Sequence, residues 1–445
     1  MSDKYAFINC NIIDGNLESE IQKDMVILVN SNLKYGVKEG TIYKIAKKNE
    51  IEISSDYKIV NLENKYVMPG LINAHVHLFG SGKPMKVISN EKRQNRVFSF
   101  LKTKLGRNML KKMMKKNVIN ALNSGVTTMR CVGDLLYTDV EIRNEINKGN
   151  YLGPRLIVSG RLISISGGHG GANIALISDS PWEGRKCVRK NVREEVDWIK
   201  ICVTGGVLDA RKVGEAGRLQ MTTEEITAIC DEAHKVGMMV AAHVESKDGI
   251  RIALMGGVDT IEHGSEMDDE ILNLFKNNPK SLRGYSALIP TLHATIPLSM
   301  LDTDITGISE VAKENSIIVY KGMVRGIQQA LEAGIKIGLG TDASVPYVTH
   351  YNTWRELDYL VRYAGITPKQ AIYHATKSNA EILGIDNETG SLEIGKSADF
   401  IVLNENPLEN LRSLSKPNMV VARGNIINDL NINKKEQIDD ALEQI

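Results

Sequence analysis

The chain has 445 residues, enough to bury the core of one large domain or of a few smaller ones. Its 55 Lys and Arg nearly balance its 54 Asp and Glu, so overall charge does not point to nucleic acid or a membrane. The five cysteines are scattered without a CxxC pair, which argues against a disulfide framework and a zinc ribbon. No signal-peptide core is seen, and no apolar run approaches the roughly 18 residues of a membrane span. We therefore expect a cytoplasmic protein.

Short strands separated by turns fill residues 1–64 and predict a small β module. They are expected at Tyr5–Ile12, Asp24–Val29, Gly40–Ile45 and Tyr57–Asn61. A β-like composition returns after residue 388, at Gly390–Leu403, Asn418–Val421 and Asn425–Ile427. We predict that residues 1–64 and 388–430 build one β-sandwich-like domain, and that 431–445 form a charged tail.

Residues 65–387 alternate between apolar segments of strand length and segments with helical patterns. The expected strands are Met68–His75, Val126–Gly133, Arg155–Ser164, Val196–Thr204, Met238–Val244, Thr260–His263, Ser286–Leu292 and Lys336–Asp342. The expected helices include Thr222–Val236, which opens with a capping box, and Val311–Ala333 and Thr367–Leu383, which both end before a glycine. Near-continuous apolar strands imply burial on both faces, so this α/β pattern fits a (β/α)8 TIM barrel better than an open sheet.

One stretch after the first of these strands is unusually basic. Lys86–Lys116 carries eleven Lys or Arg and a single acid, Glu91. A basic amphipathic helix can bind membranes or anionic partners, but such a run is more often the solvated face of a helix. We adopt the second interpretation and expect neither a membrane nor a nucleic-acid partner.

Polar side chains lie at or near the ends of several predicted strands. They are His75 and His77 in the first strand, Lys200 in the fourth, His243 in the fifth, His263 in the sixth and Asp342 in the eighth. Alternate residues of a strand share a face, so His75 and His77 point the same way, about 7 Å apart. Each residue alone has an ordinary structural explanation, such as a hydrogen-bonded core histidine or a helix cap. Because strand ends converge in a barrel of this type, the ordered series predicts a single cavity.

Several motifs that contain these residues resemble the amidohydrolase superfamily. The motifs are PGLINAHVH, IKICVTGGV, AAHVES, TIEHGS, GLGTDAS and GSLEIGKSADFIVL. Within the superfamily, the chain is similar to the imidazolonepropionase-related group, which includes cytoplasmic Xaa-Pro dipeptidases (prolidase-like enzymes) and related carboxypeptidases. The resemblance runs from about residue 5 to residue 427, nearly the whole chain.

This resemblance implies a centre of two divalent metal ions, usually zinc. One ion would be held by His75, His77 and Asp342 and the other by His243 and His263, with Lys200 bridging. A protonated lysine has no lone pair for a cation, and family members carboxylate the amine, so N6-carboxylysine is implied at Lys200. The metals would convert a shared water into the attacking hydroxide, and Asp342 would act as general base and then general acid.

Further candidates would contact the substrate. The glycine-rich loop Ser164–Gly171 resembles an active-site loop of dipeptidase-like relatives, which implies that His169 contacts substrate and takes part in catalysis. Glu245 stands where relatives that cleave Xaa-Pro often have tyrosine, so it would repel a free C-terminus and favour a positively charged group. Other pocket candidates near strands seven and eight are His293, Tyr285, Tyr347 and His350, with His293 the leading one.

We expect hydrolysis of an amide bond in a small substrate such as a dipeptide or an N-acyl amino acid. A cyclic-amide hydrolase or deaminase with one metal is the main alternative, but relatives of that kind generally lack a lysine in strand four. A non-catalytic scaffold on the same fold would typically have lost metal ligands, whereas every ligand position is filled here. Members of this group commonly form homo-oligomers, and we expect the same here.

Overall fold

The computed structural model describes residues 3–34, 37–84 and 91–445, which form an α/β structure. The strands are β1 (Lys4–Ile12), β2 (Gln22–Lys34), β3 (Val37–Lys47), β4 (Lys58–Asn61), β5 (Tyr66–Pro69), β6 (Leu71–Val76), β7 (Val126–Cys131), β8 (Arg155–Val158), β9 (Ile163–Ser164), β10 (Leu176–Ile177), β11 (Ile199–Cys202), β12 (Val240–Val244), β13 (Thr260–His263), β14 (Ala287–Ile289), β15 (Phe400–Leu403), β16 (Met419–Ala422) and β17 (Asn425–Ile427). The α-helices are α1 (Glu91–Leu101), α2 (Lys104–Asn123), α3 (Thr138–Asn147), α4 (Gly171–Ile174), α5 (Pro181–Arg193), α6 (Thr223–His234), α7 (Lys247–Gly256), α8 (Asp269–Lys276), α9 (Leu292–Met300), α10 (Thr303–Thr306), α11 (Glu310–Glu332), α12 (Thr353–Tyr359), α13 (Pro368–Tyr373), α14 (Asn379–Leu383) and α15 (Glu436–Leu442).

Strands from both ends of the chain form one mixed sheet. Its order is β17-β16-β15-β5-β1-β2-β3, with β4 beside β1. The antiparallel pairing of β5 with β15 places Val67 opposite Val402. In the apolar cluster of this sheet, the rings of Phe7 and Phe400 meet edge to face with their centroids 5.0 Å apart. The sheet contains the short strands predicted near both termini, although β2 and β3 extend further at both ends.

A second group of strands is parallel throughout. β6, β7 and β8 form one sheet, and β10, β9, β11, β12, β13 and β14 form another in that order. The backbone of residues 336–343 hydrogen-bonds to β14 on one side and to β6 on the other. Between β8 and β11, the backbone N–H of Trp198 donates to the carbonyl of Val158 at 3.2 Å. Backbone hydrogen bonds therefore connect the two parallel sheets at both of their borders.

Three predicted strands are not continuous in the structure, and one of them, Arg155–Ser164, is divided into β8 and β9. Met68–His75 is divided at Gly70, because the chain changes its pairing partner there. The N–H of Gly70 donates to the carbonyl of Asp399, the residue before β15, whereas the N–H of Leu71 donates to the carbonyl of Gly125, the residue before β7. Lys336–Asp342 is not a regular strand: it forms one isolated bridge at Ile337, and a second bridge follows at Ala343. At Gly340, an added Cβ would lie 2.4 Å from the Cβ of His75, so the two segments approach too closely for ordinary side chains.

The predicted helices are present, with one interruption. α6 begins with a capping box made by Thr222 and Glu225, as its sequence indicates. The predicted helix Thr367–Leu383 is divided by a π-type turn at His374–Ser378. There, the Nδ1 atom of His374 hydrogen-bonds with the carbonyl of Ile337 at 2.8 Å. This contact fastens the helical segment to the border between β14 and β6.

The basic stretch forms two helices where the structure describes it. Residues 85–90 lie outside the described residues, and the rest belongs mainly to α1 and α2. The guanidinium of Arg107 lies 2.6 Å from Glu141, and the ammonium of Lys111 lies 2.6 Å from Glu145. Carboxylates of α3 therefore neutralise part of this charge. Within the described ranges, no helix is both long and apolar enough to cross a bilayer.

The C-terminal tail packs against the rest of the chain through α15. Asp439 accepts hydrogen bonds from Asn352 at 2.8 Å and from the hydroxyl of Tyr351 at 3.1 Å. Glu443 pairs with Arg355 at 2.6 Å. The tail therefore stabilises the segment that immediately precedes and begins α12.

The Phe7–Phe400 contact provides a test of the mixed sheet. Phe400→Ala removes a fully buried ring, and we expect the free energy of unfolding to fall by about 3–5 kcal/mol. Ile59→Ala is the control, since Ile59 is 54% exposed and its loss should change that free energy by no more than about 0.5 kcal/mol. Urea unfolding monitored by circular dichroism measures both. Equal effects of the two substitutions would contradict the packing of this sheet.

Candidate functional site

Four histidine rings meet where the parallel strands end. The ring centroids of His75 and His263 are 4.9 Å apart, those of His243 and His263 are 4.6 Å apart, and those of His75 and His77 are 5.7 Å apart. One carboxylate oxygen of Asp342 lies 3.1 Å from Nε2 of His77 and 3.5 Å from Nε2 of His75. The structure thus brings together these five residues from four separate parts of the chain.

This cluster has the donor atoms that a divalent metal ion requires. Ligand atoms of His75, His263 and Asp342 all lie within 4.8 Å of one another. Burial and the neighbouring His75 hold the pKa of His263 well below its ordinary value, so its ring is neutral. Burial alone would raise the pKa of Asp342, but hydrogen bonds from the two adjacent imidazoles hold it well below its usual range. Neutral imidazole and ionised carboxylate are the forms of these side chains that bind zinc.

Lys200 is buried beside the histidines. It lies on β11 two residues before Cys202, which pairs with His243 of β12. Its Nζ atom is buried and has no hydrogen-bond partner among the described residues. Burial lowers the pKa of this amine below its usual value. An unpartnered buried amine is unfavourable in a finished protein interior, and this indicates a group that completes the site.

A buried carboxylate that the sequence analysis missed orients His75. Glu262 accepts a hydrogen bond from Nδ1 of His75 at 2.6 Å and from the hydroxyl of Thr260 at 2.5 Å. The guanidinium of Arg130 donates to both oxygens of the same carboxylate, at 2.7 and 2.8 Å. Because Nδ1 is occupied in this way, Nε2 of His75 faces Asp342.

The sequence contained a signal for this pair. Arg130 interrupts the apolar strand β7, and Glu262 interrupts β13 directly before His263. A charged residue inside a fully buried strand requires an opposite charge nearby. That rule predicts that each has a buried partner, although it does not identify the partner.

The other histidines are oriented by backbone or hydroxyl groups. Nδ1 of His77 bonds to the carbonyl of Gly133 at 2.6 Å, and Nδ1 of His263 bonds to the hydroxyl of Thr291 at 2.7 Å. His243 differs in the nitrogen that is bonded: its Nε2 atom, and not Nδ1, lies 3.3 Å from the carbonyl of Gly205. Such partners fix the ring orientation and the nitrogen that faces the site.

His169 lies against the cluster on the glycine-rich loop. Its ring stacks on that of His243, with the centroids 4.1 Å apart and an angle of 9° between the planes. Its Nδ1 atom hydrogen-bonds to the carboxylate of Asp209, which the sequence analysis did not anticipate. Burial alone would lower the pKa of His169, but the contact with Asp209 raises it above its ordinary value. No local pattern marked Asp209, because the 3-10 turn Val207–Asp209 that carries it is distant from His169 in sequence.

Glu245 also reaches the cluster. It follows β12, and its backbone N–H donates to the hydroxyl of Thr204 at 3.1 Å. Its Oε2 atom is buried without a hydrogen-bond partner in the described part of the chain. Burial raises the pKa of this carboxyl group to about 8. The carboxyl group therefore has one oxygen available for a ligand.

The structure does not bring Tyr285 to this site. Tyr285 precedes β14, at the amino end of the parallel strands, whereas the histidines lie at their carboxyl ends. The ammonium of Lys336 lies 5.7 Å from the centroid of its ring. Tyr285 was predicted to lie at the site because it adjoins a predicted strand. It adjoins the amino end of that strand, however, and the site lies at the carboxyl ends.

The remaining candidates are His293, His350 and Tyr347, and of these His350 contacts a residue of the cluster. His293 is fully buried at the start of α9, and its ring centroid lies 5.4 Å from that of Tyr359. Nε2 of His350 bonds to the backbone carbonyl of His77 at 2.8 Å. The hydroxyl of Tyr347 donates to the carbonyl of Ile305 at 2.5 Å. These contacts give His350 and Tyr347 structural partners, and none of the contacts joins His293 to the histidine cluster.

Comparison with known proteins identifies the family. The model of the amidohydrolase family matches residues 66–427, most of the chain. This chain belongs to the amidohydrolase family. As a member, it is a hydrolase that acts on carbon–nitrogen bonds.

This amidohydrolase is similar to several solved structures and known sequences. A prolidase candidate from Bifidobacterium longum is 43% identical, with a TM-score of 0.86, 99% of this chain covered and 98% of that one. An Xaa-Pro dipeptidase with methionine bound in its active site is 29% identical, with a TM-score of 0.80, 96% of this chain covered and 100% of that one. Ochratoxinase from Aspergillus niger is 28% identical over 379 residues, which cover 80% of this chain and 73% of that protein.

The buried Arg130–Glu262 pair provides a test of how the site is supported. Arg130→Met leaves the carboxylate of Glu262 without its main cation, and we expect the free energy of unfolding to fall by about 3–5 kcal/mol. Adding Glu262→Gln to the same chain should restore part of this loss, because it removes the unpaired charge. The control is Arg193→Met, which removes an exposed pair and should cost less than about 1 kcal/mol. A double variant no more stable than Arg130→Met would contradict the pairing.

Proposed function

We propose that this amidohydrolase cleaves the amide bond of a small substrate, such as a dipeptide or an N-acyl amino acid, with two divalent metal ions, most simply zinc. The observation that carries the proposal is the histidine cluster with Asp342 at its centre and the unpartnered amine of Lys200 beside it. Hydrolysis of carbon–nitrogen bonds by this family agrees with that arrangement.

We also infer that the parallel strands close into a (β/α)8 barrel over residues 65–387. The hydrogen bonds of residues 336–343 to both β14 and β6 support this closure. Residues 1–64 and 388–430 would form the second, β-rich domain, and their shared mixed sheet supports that division. Assembly into a homo-oligomer and a location in the cytoplasm stay predictions from the sequence.

The proposed ligands divide into two sets. His75, His77 and Asp342 would hold one ion, His243 and His263 would hold the other, and carboxylated Lys200 would bridge them. A neutral amine attacks carbon dioxide, forms a nitrogen–carbon bond and releases a proton, which leaves an anionic carbamate. The buried, unpartnered amine of Lys200 is suited to this reaction, because the new oxygens would give its side chain the ionic contacts that it otherwise lacks.

The residues around the cluster have complementary tasks. When bound, the two ions would lower the pKa of a shared water and polarise the scissile carbonyl. Asp342 accepts the proton of the attacking water and returns it to the leaving nitrogen, which needs a carboxylate that is ionised at the start. Asp209 fixes Nδ1 of His169, which leaves the opposite nitrogen of that ring to contact the substrate.

Two observations support the substrate class: the ligand of one relative, and the presence of Glu245 where other relatives often have tyrosine. The similar Xaa-Pro dipeptidase holds methionine in its active site, which supports an amino-acid moiety as a ligand of this protein. Glu245 offers a buried oxygen without a partner, where Xaa-Pro relatives often have tyrosine. We propose that Glu245 favours a substrate with an amine or guanidinium group.

The first experiment is metal analysis of gently purified protein, together with a panel of dipeptides and N-acyl amino acids. We expect about two metal ions per chain and cleavage of an amide substrate. One ion per chain without amide cleavage would favour the cyclic-amide hydrolase or deaminase. No metal after loading with zinc would favour a non-catalytic scaffold.

Asp342→Asn separates proton transfer from folding. We expect turnover to fall by about 10²- to 10⁴-fold, because an amide cannot accept the proton, while most of the metal content is retained. Measurements of kcat and of metal per chain on the same sample test this. Asp304→Asn, at an exposed position on α10, is the matched control. Near-normal turnover of metal-loaded Asp342→Asn would reject the proton-transfer role.

Glu245→Gln tests the preference for positive charge. We expect kcat/KM for substrates with a cationic side chain to fall by about tenfold relative to neutral substrates, since the uncharged amide can accept a hydrogen bond but cannot pair with a positive charge. The ratio of the two kcat/KM values is the readout, so a general loss of activity does not affect it. An unchanged ratio would remove Glu245 as a determinant of specificity.

A further inference from the structure

Two loops that begin with proposed metal ligands pack against each other. The first loop comprises residues 77–82, and the second loop comprises residues 342–352. The N–H of Tyr347 donates to the carbonyl of Gly82 at 2.7 Å. A Cβ added at Gly82 would lie 2.8 Å from the carbonyl oxygen of Val348, so the two backbones are in direct contact. The positions of the two ligands relative to each other therefore depend on how these loops are held.

The tail of residues 431–445 contacts both loops, and one of its residues bonds to each of them. The ammonium of Lys435 donates to the carbonyl of Ser81 in the first loop. The backbone N–H of the same residue donates to the hydroxyl of Tyr351 in the second loop at 2.7 Å. That hydroxyl donates in turn to the carboxylate of Asp439 at 3.1 Å. Lys435 therefore connects the two loops through a single residue.

Asparagines spaced three residues apart on α2 hold the first loop and the tail together. The side-chain amide of Asn117 donates to two carbonyls of the first loop, at 2.9 and 2.7 Å. The side chain of Asn120 accepts the N–H of Asn433 at 2.7 Å, and Asn123 donates to the carbonyl of Asn431 at 3.0 Å. Residues three apart lie on the same side of a helix. One side of α2 thus sets the distance between the first loop and the tail.

Apolar packing attaches the tail to the second loop. Ile438 and Leu442 are buried, and they belong to the same apolar cluster as Tyr347 of the second loop. Removal of such side chains from water is the main favourable contribution to packing. The tail is therefore a fixed support for the second loop.

We propose that residues 431–445 form a strap that fixes His77 and Asp342 relative to each other, with Lys435 as its central positioning residue. Its consequence for metal binding rests on the proposed function, in which these two residues hold the same ion. Groups that orient metal ligands without touching the ion change metal affinity by about ten- to hundredfold. In the described part of the chain, no hydrogen bond joins the strap to β12 or β13, which carry the ligands of the other ion. The strap should therefore affect one metal ion and not the other.

Zinc titration of metal-free Lys435→Met tests the strap, with a colorimetric chelator of known zinc affinity as competitor. We expect one of two zinc ions to bind about tenfold more weakly than in the unaltered chain, and the other to bind within about twofold. A pure charge effect has the opposite direction, because the loss of a positive charge near a cation strengthens cation binding. Lys434→Met is the matched control, since it removes the same charge from the exposed neighbouring position and should not weaken zinc binding.

Hydrogen–deuterium exchange provides a readout that does not require zinc. In metal-free Lys435→Met, we expect the N–H of Tyr347 to exchange at least about tenfold faster, whereas the N–H groups of β12 keep their rates. Faster exchange in the loops of a chain that binds no zinc would support the strap and reject the proposed metal-dependent hydrolysis. Two zinc ions bound equally by Lys435→Met and the unaltered chain, with equal exchange, would reject the strap and retain the hydrolysis.

Two further results would overturn the proposal. The first is an equal weakening of zinc binding in Lys434→Met, and the second is a lower melting temperature of Lys435→Met with unchanged zinc affinity and exchange. If circular dichroism shows that Lys435→Met does not fold, Tyr351→Phe replaces it. That substitution removes only the hydroxyl that bonds to both Lys435 and Asp439, and we expect the same changes in zinc binding and exchange.

Discussion

The fully buried carboxylate of Glu262 connects the parallel strands to the histidine cluster. It bonds at once to Nδ1 of His75 on β6 and to the guanidinium of Arg130 on β7. Neither charge could be buried alone, because an isolated ion in a protein interior is strongly unfavourable. Arg130 also donates to the carbonyl of Ala74 at 2.6 Å, so the same side chains set the positions of β6, β7 and β13. The orientation of His75, and with it the contact to Asp342, depends on this network.

Around that network, nearly every polar group of the cluster has a defined protein partner. His77 and His263 have their outer nitrogens bonded to Gly133 and Thr291. The buried amine of Lys200 and the Oε2 atom of Glu245 are exceptions, because neither has a hydrogen-bond partner in the described residues. A buried amine without a partner, next to histidines whose outer nitrogens are bonded, indicates where a missing component belongs. This contrast supports the proposed carbamate more directly than the identity of the residue does.

The proposed metal ligands and the residues proposed to contact the substrate lie on different kinds of segment. The proposed metal ligands lie at or near strand ends, where backbone pairing fixes them. His169 and Asp209 lie in the segments that follow β9 and β11. Loops vary more readily than the strands that carry them, so members of one family can retain a reaction and change its substrate. The proposed difference from Xaa-Pro enzymes lies in Glu245, directly after β12.

The sequence by itself determined the α/β alternation, most strand and helix positions, and the residues of the histidine cluster. Those features follow from local periodicity and from the rule that strand ends converge. It did not identify Glu262, Arg130 or Asp209, because their partners are distant in sequence. It also placed Tyr285 at the site, although that residue lies at the opposite strand end. Only the tertiary structure decided these points, since burial, charge pairing and the direction of a side chain arise when separate segments pack together.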